Sequence, residues 1–319
     1  MPPTQGRACP ACECLEFRAV LRGTDRLYRC TGREFQVVAC RRCGLLQLHP
    51  RPEPAELRRY YPPAYWFAPE TSAASRLEEA WRRLAARDHV RFVRRALASV
   101  GDAGPLLDVG CGGGLLVRML RERGCPALGL DAALEAARLA WRRQAAPVVC
   151  GELSRAPFPP ARFAAITMFH VLEHVPDPRD YLGAARELLQ PGGRLIVQTP
   201  DAACWEFALL GRRWSGLDIP RHLTTFRGCD LERLVASCGF NVVRRKHFSL
   251  RDNPAGLATS LAPGLDPMAR RVRGLGEGGL TRLAKDLLYF ILVVAALPLT
   301  LAEGACGAGS TIMLEARKL

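Results

Sequence analysis

Two short runs hold three of the chain's six histidines, each run with a carboxylate: His170-Val171-Leu172-Glu173-His174, and Trp214-Ser215-Gly216-Leu217-Asp218-Ile219-Pro220-Arg221-His222-Leu223. Imidazole titrates near neutral pH, so a histidine can take a proton from a hydroxyl, an amine or a carbon acid. In the first run His170 is a candidate base, with Glu173 and His174 orienting it or bracing a helix that begins near Asp177-Pro178. In the second, an indole, a carboxylate, an arginine and a histidine within nine residues, Trp214, Asp218, Arg221 and His222, suit a loop that covers a substrate. Each has a structural alternative. Glu173 and His174 also read as a hydrogen-bonded brace, and His222 as a loop histidine that satisfies backbone carbonyls. A third chemistry lies near the start of the chain. Cys9-x2-Cys12 and Cys40-x2-Cys43 have the spacing of two zinc-ribbon knuckles, whose four thiolates close a structural zinc site. The 27 residues between Cys12 and Cys40 call for a β-hairpin around Arg18 to Val38. Cys14 and Cys30 either replace a knuckle member or lie free, and a redox pair or an iron–sulfur site is a minor alternative.

A scaffold for these groups is written around Leu106-Leu107-Asp108-Val109-Gly110-Cys111-Gly112-Gly113-Gly114: an apolar strand, a carboxylate, a glycine turn and a helix from Leu115 to Arg123. Glycine tolerates the dihedrals and the close ligand approach of such a turn, and the helix aims free N–H groups at it. A dinucleotide fingerprint fails here, because Leu115 stands where its third glycine belongs. Asp108 would repel a pyrophosphate and suits a ligand with an ammonium and a sulfonium. Strand Pro126 to Leu130 ends in Asp131, placed to accept hydrogen bonds from a ribose diol. Strand Arg162 to Phe169 delivers His170 to the carboxyl edge of the sheet, where open α/β folds bind ligands, and strand Gly193 to Thr199 precedes the second run. Apolar residues Leu77, Trp81, Leu84, His89, Phe92, Val93 and Leu97 recur at helical intervals between Ser75 and Ser99. Before them, the prolines of His49 to Pro54 mark a boundary. The cluster Tyr60, Tyr61, Tyr65, Trp66 and Phe67 either packs the ribbon on the core or, through Tyr65 above all, stacks on a substrate ring.

LDVGCGGG, GLDAA, MFHVLEHVPDP and LQPGGRLIVQTPD, in that order, resemble the motifs of class I S-adenosylmethionine-dependent methyltransferases of the type 23/11 kind. The resemblance covers roughly residues 100 to 250. It implies an α/β fold with a Rossmann-like seven-stranded sheet, mostly parallel with an antiparallel last strand, beside a small N-terminal zinc-ribbon domain. It also implies S-adenosylmethionine as cofactor. Asp108, Gly110, Gly112 and Gly114 would surround its methionine moiety, Asp131 the ribose hydroxyls, and Glu152 with Leu153 the adenine; the family's placing of a proline and a histidine near Pro220 to His222 makes His222 the preferred base and Arg221 a contact for an anionic substrate. The knuckle pair followed by CGLLQLHPRP and RRYYPPAY is similar to a zinc-binding subgroup that includes deoxysugar C-methyltransferases. The expected organisation is a ribbon at 1–50, a linker and helix at 51–100, the cofactor-binding core at 101–250 and a C-terminal extension at 251–319.

The net charge of +14 belongs to the flanks. Residues 1–100 hold 18 Lys/Arg against 10 Asp/Glu and residues 241–319 hold 11 against 6, while 101–240 is balanced at 16 against 15. The basic flanks suit an anionic substrate, a polyanion or a membrane surface, or they are solvated faces. Leu287 to Ala302 is an uncharged run interrupted by Pro298, short for a membrane span. It reads first as a buried or dimer-interface helix, then as a membrane-surface anchor near Arg270, Arg271, Arg273, Arg282 and Lys285, or as a lid. Strand Ser310 to Arg317 then pairs with strand Phe240 to Phe248. Thirteen cysteines and an N-terminus without a basic-then-apolar segment lead to the expectation of a reduced cytoplasmic setting, with contact at the inner membrane face. The reading is O- or C-methylation of a small-molecule, sugar, polysaccharide or lipid-linked acceptor. An RNA methyltransferase with a zinc-ribbon binding domain stands second, since no aromatic-basic strand motif appears, and a noncatalytic cofactor-binding adaptor third.

Overall fold

The computed structural model describes residues 8–65, 73–101 and 104–319. Trp66 and Phe67 of the aromatic cluster lie outside them. In chain order, β1 (Phe17–Gly23) pairs antiparallel with β2 (Phe35–Cys40), and β2 with β3 (Leu46–His49), which supplies the hairpin expected between the knuckles. After the prolines come α1 (Pro54–Arg59) and α2 (Ala73–Ala98), the latter burying His89, Val90, Phe92, Val93 and Ala96. The core follows as β4 (Leu106–Val109), α3 (Leu115–Arg121), β5 (Ala127–Asp131), α4 (Leu134–Gln144), β6 (Val148–Cys150), β7 (Phe163–Phe169), α5 (Pro178–Leu188) and β8 (Leu189–Pro200). Then come α6 (Trp205–Leu210), β9 (Thr224–Thr225), α7 (Gly228–Ser237), β10 (Phe240–Lys246), α8 (Asn253–Leu261), α9 (Pro267–Val272), α10 (Gly279–Ala305) and β11 (Thr311–Lys318).

Among the described residues, seven strands form the main sheet in the order β10-β11-β8-β7-β4-β5-β6. β4 to β8 run parallel, and β11 lies antiparallel between β8 and β10, as the motif resemblance implies. The chain moves outward from β4 to β5 and β6 on one side and to β7 and β8 on the other. β4 therefore sits at the reversal of strand order, where a crevice opens beyond the carboxyl ends. β7 reads FAAITMF and is buried through its first six residues, as a central strand covered on both faces must be. α5 begins where expected: Asp177 accepts from the Arg179 N–H at 2.8 Å and Pro178 takes the first helical position.

Two expectations change. The ribbon is not a separate unit, because β3 pairs with β9 to complete a four-stranded sheet β1-β2-β3-β9, and Cys9, Cys40 and Leu45 share a hydrophobic core with Leu172 and Phe226. The apolar run at 287–302 is not mainly buried. It belongs to a 27-residue helix in which Pro298 makes no break and only 22% of the most apolar 18-residue window is covered.

Candidate active site

The glycine turn shows why its residues are glycines. Gly110 has φ +68°, and a Cβ there would lie 2.6 Å from Val171 Cγ2; Gly112, also left-handed at φ +52°, points its N–H at Asp131. Both line a cleft of about 1460 Å³, together with Asp108, Asp131, Glu152, Leu153, Tyr65, His170, His174 and His222. That volume exceeds an ordinary single-ligand pocket and has room for two molecules side by side. Gly114 is a correction: it is buried outside the cleft lining, with φ +76°, and its Cβ would meet Ala140 and Ala146 at 2.8 and 2.9 Å. It therefore performs helix packing on α4 rather than surrounding the cofactor.

The carboxylates are poised for a cation. Asp108 Oδ1 accepts from the Thr167 hydroxyl at 2.6 Å, and burial pushes its carboxyl up to about 7. Asp131 accepts from the N–H groups of Gly112 and Ala133 at 2.8 and 2.9 Å. Burial outweighs these two bonds and raises it. The side-chain oxygens keep further lone pairs for a diol. Glu152 is exposed at the rim, ahead of buried Leu153.

His170 does not fit the role of base. Its Nδ1 lies 3.1 Å from Glu173 Oε1 and its Nε2 3.6 Å from Asp252 Oδ1. Burial lowers its pKa, but Asp252 and Glu173 outweigh that and push it up to about 9. It is already an imidazolium at neutral pH. Gln198 Nε2, 2.9 Å from His170 Nε2, is the contact that opposes a proton there; the same amide donates to Asp252 Oδ2 at 2.7 Å. The left-handed backbone of His170, φ +57°, is held by its N–H donating to Gln198 O at 2.9 Å, so the ring is fixed as a brace.

His222 and His174 form the second centre. His222 Nδ1 lies 2.8 Å from Gly216 O, which can only accept, so Nδ1 carries the proton and Nε2 presents a lone pair. The His174 ring is 4.6 Å away, with Nδ1 2.9 Å from Tyr61 Oη and 3.2 Å from Arg221 O. Burial, with His222 adding to it, lowers His174 to about 4 and keeps it neutral. Glu173 is buried beneath both rings, and its carbonyl accepts from the N–H groups of Leu223 and Thr224 at 2.7 and 3.2 Å, hooking the second run onto the first. Glu173 Oε2 has no partner, and one ligand atom each from Glu173, His174 and His222 lies within 4.8 Å of the others. Such a cluster can hold a shared proton or a divalent cation.

Arg221 and Trp214 are not substrate contacts. Arg221 is fully buried, donating to Asp25 at 2.7 and 3.2 Å and to Asp218 at 2.8 to 3.1 Å, with its guanidinium 4.3 Å above the Tyr28 ring. Those carboxylates and the ring occupy the face an anion would need. Trp214 is buried against Phe207 and does not line the cleft. The tyrosines serve both readings: Tyr65 meets Tyr28 and Tyr61 edge-on at 5.5 and 5.0 Å and lines the cleft as well. Sequence reasoning missed Arg251, Asp252 and Met268 on the cleft wall, which Tyr61 of the aromatic cluster also lines. Asp252-Asn253-Pro254 looks like an ordinary helix start, yet the Asp252 carboxylate makes no cap bond and turns to Gln198, Ser249 and His170 instead.

The knuckle thiols meet as spaced. Cys9 and Cys43 Sγ atoms are 3.5 Å apart, as are Cys12 and Cys40, and all four lie within 4.8 Å of one another. These separations bracket the ~3.8 Å edge of a tetrahedron with ~2.3 Å metal–sulfur bonds. Cys14 and Cys30 lie outside the cluster.

Comparisons with known proteins bear on the family and the fold. A sequence-family model described as a methyltransferase domain matches residues 76–245. A ubiquinone biosynthesis O-methyltransferase of Alkalilimnicola ehrlichii is 38% identical over 123 residues, 34% of this chain and 47% of the relative. Its counterpart in Pseudomonas fluorescens is 31% identical over 186 residues, 52% of this chain and 77% of the relative. The chain spans about half the length of the first curated relatives it matches, 47% and 56%. A geranyl diphosphate C-methyltransferase from Streptomyces coelicolor A3(2) has the same fold, with a TM-score of 0.51 at 16% identity over 80% of this chain and 88% of its own.

Proposed function

Since the chain belongs to the class I S-adenosylmethionine-dependent methyltransferase family, we propose that it transfers a methyl group from that cofactor to an oxygen of a small-molecule acceptor, with His222 Nε2 taking the acceptor's proton. The observation that carries this reading is one continuous cleft joining Asp108 and Asp131 to the His174–His222 pair. When bound, the cofactor supplies an activated methyl on a sulfonium, so the chain's own task is alignment and proton removal. Asp108 and Asp131 hold the cationic and ribose ends, and Gly110 and Gly112 leave room for close approach. His222 is set for its part by the Gly216 carbonyl, which fixes the tautomer, and by Glu173, whose carbonyl fixes the loop. Replacing His222 by Ala should lower kcat by about 10²–10⁴-fold and leave cofactor affinity unchanged. Unchanged turnover on an oxygen acceptor would end the proposal.

The orphaned Glu173 Oε2 favours a second reading, in which a divalent cation held by Glu173, His174 and His222 binds the acceptor oxygen directly. Assay with and without added Mg²⁺ or Mn²⁺, after free divalent cations are removed under conditions in which elemental analysis still finds the four-cysteine zinc, separates the two, since turnover without added cation survives only where a proton occupies the cluster. We also infer that Cys9, Cys12, Cys40 and Cys43 hold a structural zinc, because the four-thiolate set is closed and lies in the protein's core. Elemental analysis of purified protein should find about one zinc per chain, and a metal-free protein with intact fold would reject the assignment.

A further inference from the structure

The helix α10 is inside out for a protein in water. Leu280, Leu283, Leu287, Phe290, Ile291, Val294 and Leu301 recur at steps of three, four and seven along one face, and all are exposed, from 44% for Val294 to 86% for Leu280. The residues on the opposite face, Val293, Ala296, Thr300 and Glu303, are the ones the body buries. Three of the helix's four charged residues pair with the body or are buried in it, and the fourth, exposed Arg282, lies off the stripe by its spacing. Asp286 accepts from Arg270, Lys285 pairs with Glu277 at 2.5 Å and Glu303 is 1% exposed. A helix that turns most of its charges inward and an unbroken apolar stripe outward loses free energy in water and gains it in hydrocarbon.

We propose that this stripe is a membrane-docking surface, on which α10 lies in the plane of an anionic leaflet. A span is ruled out by its anchors. At ~1.5 Å per residue the helix is about 40 Å long, but both ends are tied to one globular body. Arg270 of α9 holds Asp286 near the start, and Gly304 packs on Phe248 near the end, before β11 enters the sheet between β10 and β8. A helix crossing ~30 Å of hydrocarbon would have to carry part of that body through it. A second copy of this chain is the other apolar occupant, and charge argues against it: two bodies of net charge +14 repel each other, whereas each is drawn to a negative leaflet. Basic residues lie on the helix itself and on the part of the body it packs against, starting with exposed Arg282. Exposed Arg212 and Arg213 lie on the turn whose carbonyl receives Arg26, and Arg26 also donates to Ser260 O at 2.6 Å, at the end of the α8 that α10 packs on through Tyr289 and Thr259.

The docking surface meets the cleft. Phe290, within the stripe, stacks edge-on at 5.5 Å on Trp81, and Trp81 lines the cleft. With α10 on the leaflet, the cleft mouth opens at the headgroup level, and an acceptor dissolved in the bilayer reaches the His174–His222 pair without crossing water. That route rests on the methyl-transfer reading, whereas docking itself does not.

The test is flotation of the whole chain, without acceptor, on vesicles of phosphatidylcholine with and without 30% phosphatidylglycerol, at ~0.05 and ~0.5 M salt. The wild type should float with the anionic vesicles, less at high salt, and Leu287→Glu with Ile291→Glu should lower the bound fraction at least tenfold. Titration calorimetry with S-adenosylmethionine, unchanged in that variant, shows that the fold is intact and tests the cofactor reading separately. Should the glutamates cost the fold, Leu287→Asn with Ile291→Asn repeats the assay. A wild type that binds cofactor and stays off both vesicles overturns the proposal. So does a dimer in sedimentation that the variants convert to monomer, since a second copy would then own the stripe.

Discussion

Replacing Asp108 by Asn should make the ligand-free protein more stable and the cofactor complex weaker. Burial moves the Asp108 carboxyl from an ordinary 3.8 to about 7, so ionising it in the folded protein costs about 4 kcal/mol more than in the unfolded chain. Between those two values the unfolded chain has released its proton and the native protein has not, so stability falls as pH rises through that window. Above about 7 the penalty is complete; below 3.8 it is absent. Asparagine keeps an oxygen for the Thr167 hydroxyl and has no charge to bury. The variant's gain should therefore grow from nothing near pH 4 to as much as ~4 kcal/mol at pH 8, of the order of 10 °C in melting temperature for a chain of this size. Cofactor affinity moves the other way. Opposite charges ~4 Å apart in an effective dielectric of ~20 attract by about 4 kcal/mol, so calorimetry at pH 8 should show binding weaker by about 10²–10³-fold. The difference should shrink at pH 6, where the wild-type carboxyl is itself mostly protonated. A melting temperature unchanged at pH 8, or an affinity within threefold of wild type, would refute the argument.

Arg221→Met leaves buried Asp25 and Asp218 without their cation, and denaturant unfolding should show a loss of about 3–5 kcal/mol. A variant of wild-type stability whose only defect is a raised KM for an anionic acceptor would restore the substrate role. Cys40→Ser removes a knuckle thiol that also lies in the main core, so metal content, melting temperature and turnover should fall together. Retained turnover with no metal bound would show that the ribbon does not support the site. Asp252→Asn takes away one of the two carboxylates that raise His170. Its imidazole midpoint, followed by NMR, should drop from about 9 by at least one pH unit, and the stability that His170 contributes, present below 6.5 and lost through 9 in the wild type, should be lost at lower pH. An unmoved midpoint would mean that Asp252 does not set the charge on His170.

The glycine turn and the two acidic strand ends were legible because local chemistry leaves them few alternatives, positive φ at Gly110 and Gly112 and a carboxylate at a strand terminus, whereas the antiparallel last strand, buried through its first six residues, came with the motif resemblance. Arg221 was misread because Asp218, three residues before it, is only one of its two carboxylate partners, and the other, Asp25, which completes its saturation, lies 196 residues away. Asp252 was hidden by the look of a helix cap. At α10, counting only the uncharged stretch missed the first eight residues, where Lys285 and Asp286 are neutralised by Glu277 and Arg270 and so do not end the apolar face.

The ribbon's place in the fold follows from what it touches. The loop that carries His222 has contacts on two sides: the Glu173 carbonyl below, and the ribbon above, through the β3–β9 pairing, the Asp25 carboxylate and the Tyr28 ring on Arg221. Neither side alone fixes the imidazole, since the tautomer-setting Gly216 carbonyl belongs to the same loop and moves with it. The four-cysteine cluster sits at the far end of β2, so whatever orders those thiols orders the strand that, through β3, meets β9. The ribbon thereby becomes half of the clamp on His222. Its stability and the position of His222 are then one equilibrium, coupled by strand pairing and a buried ion pair rather than by contact with either substrate.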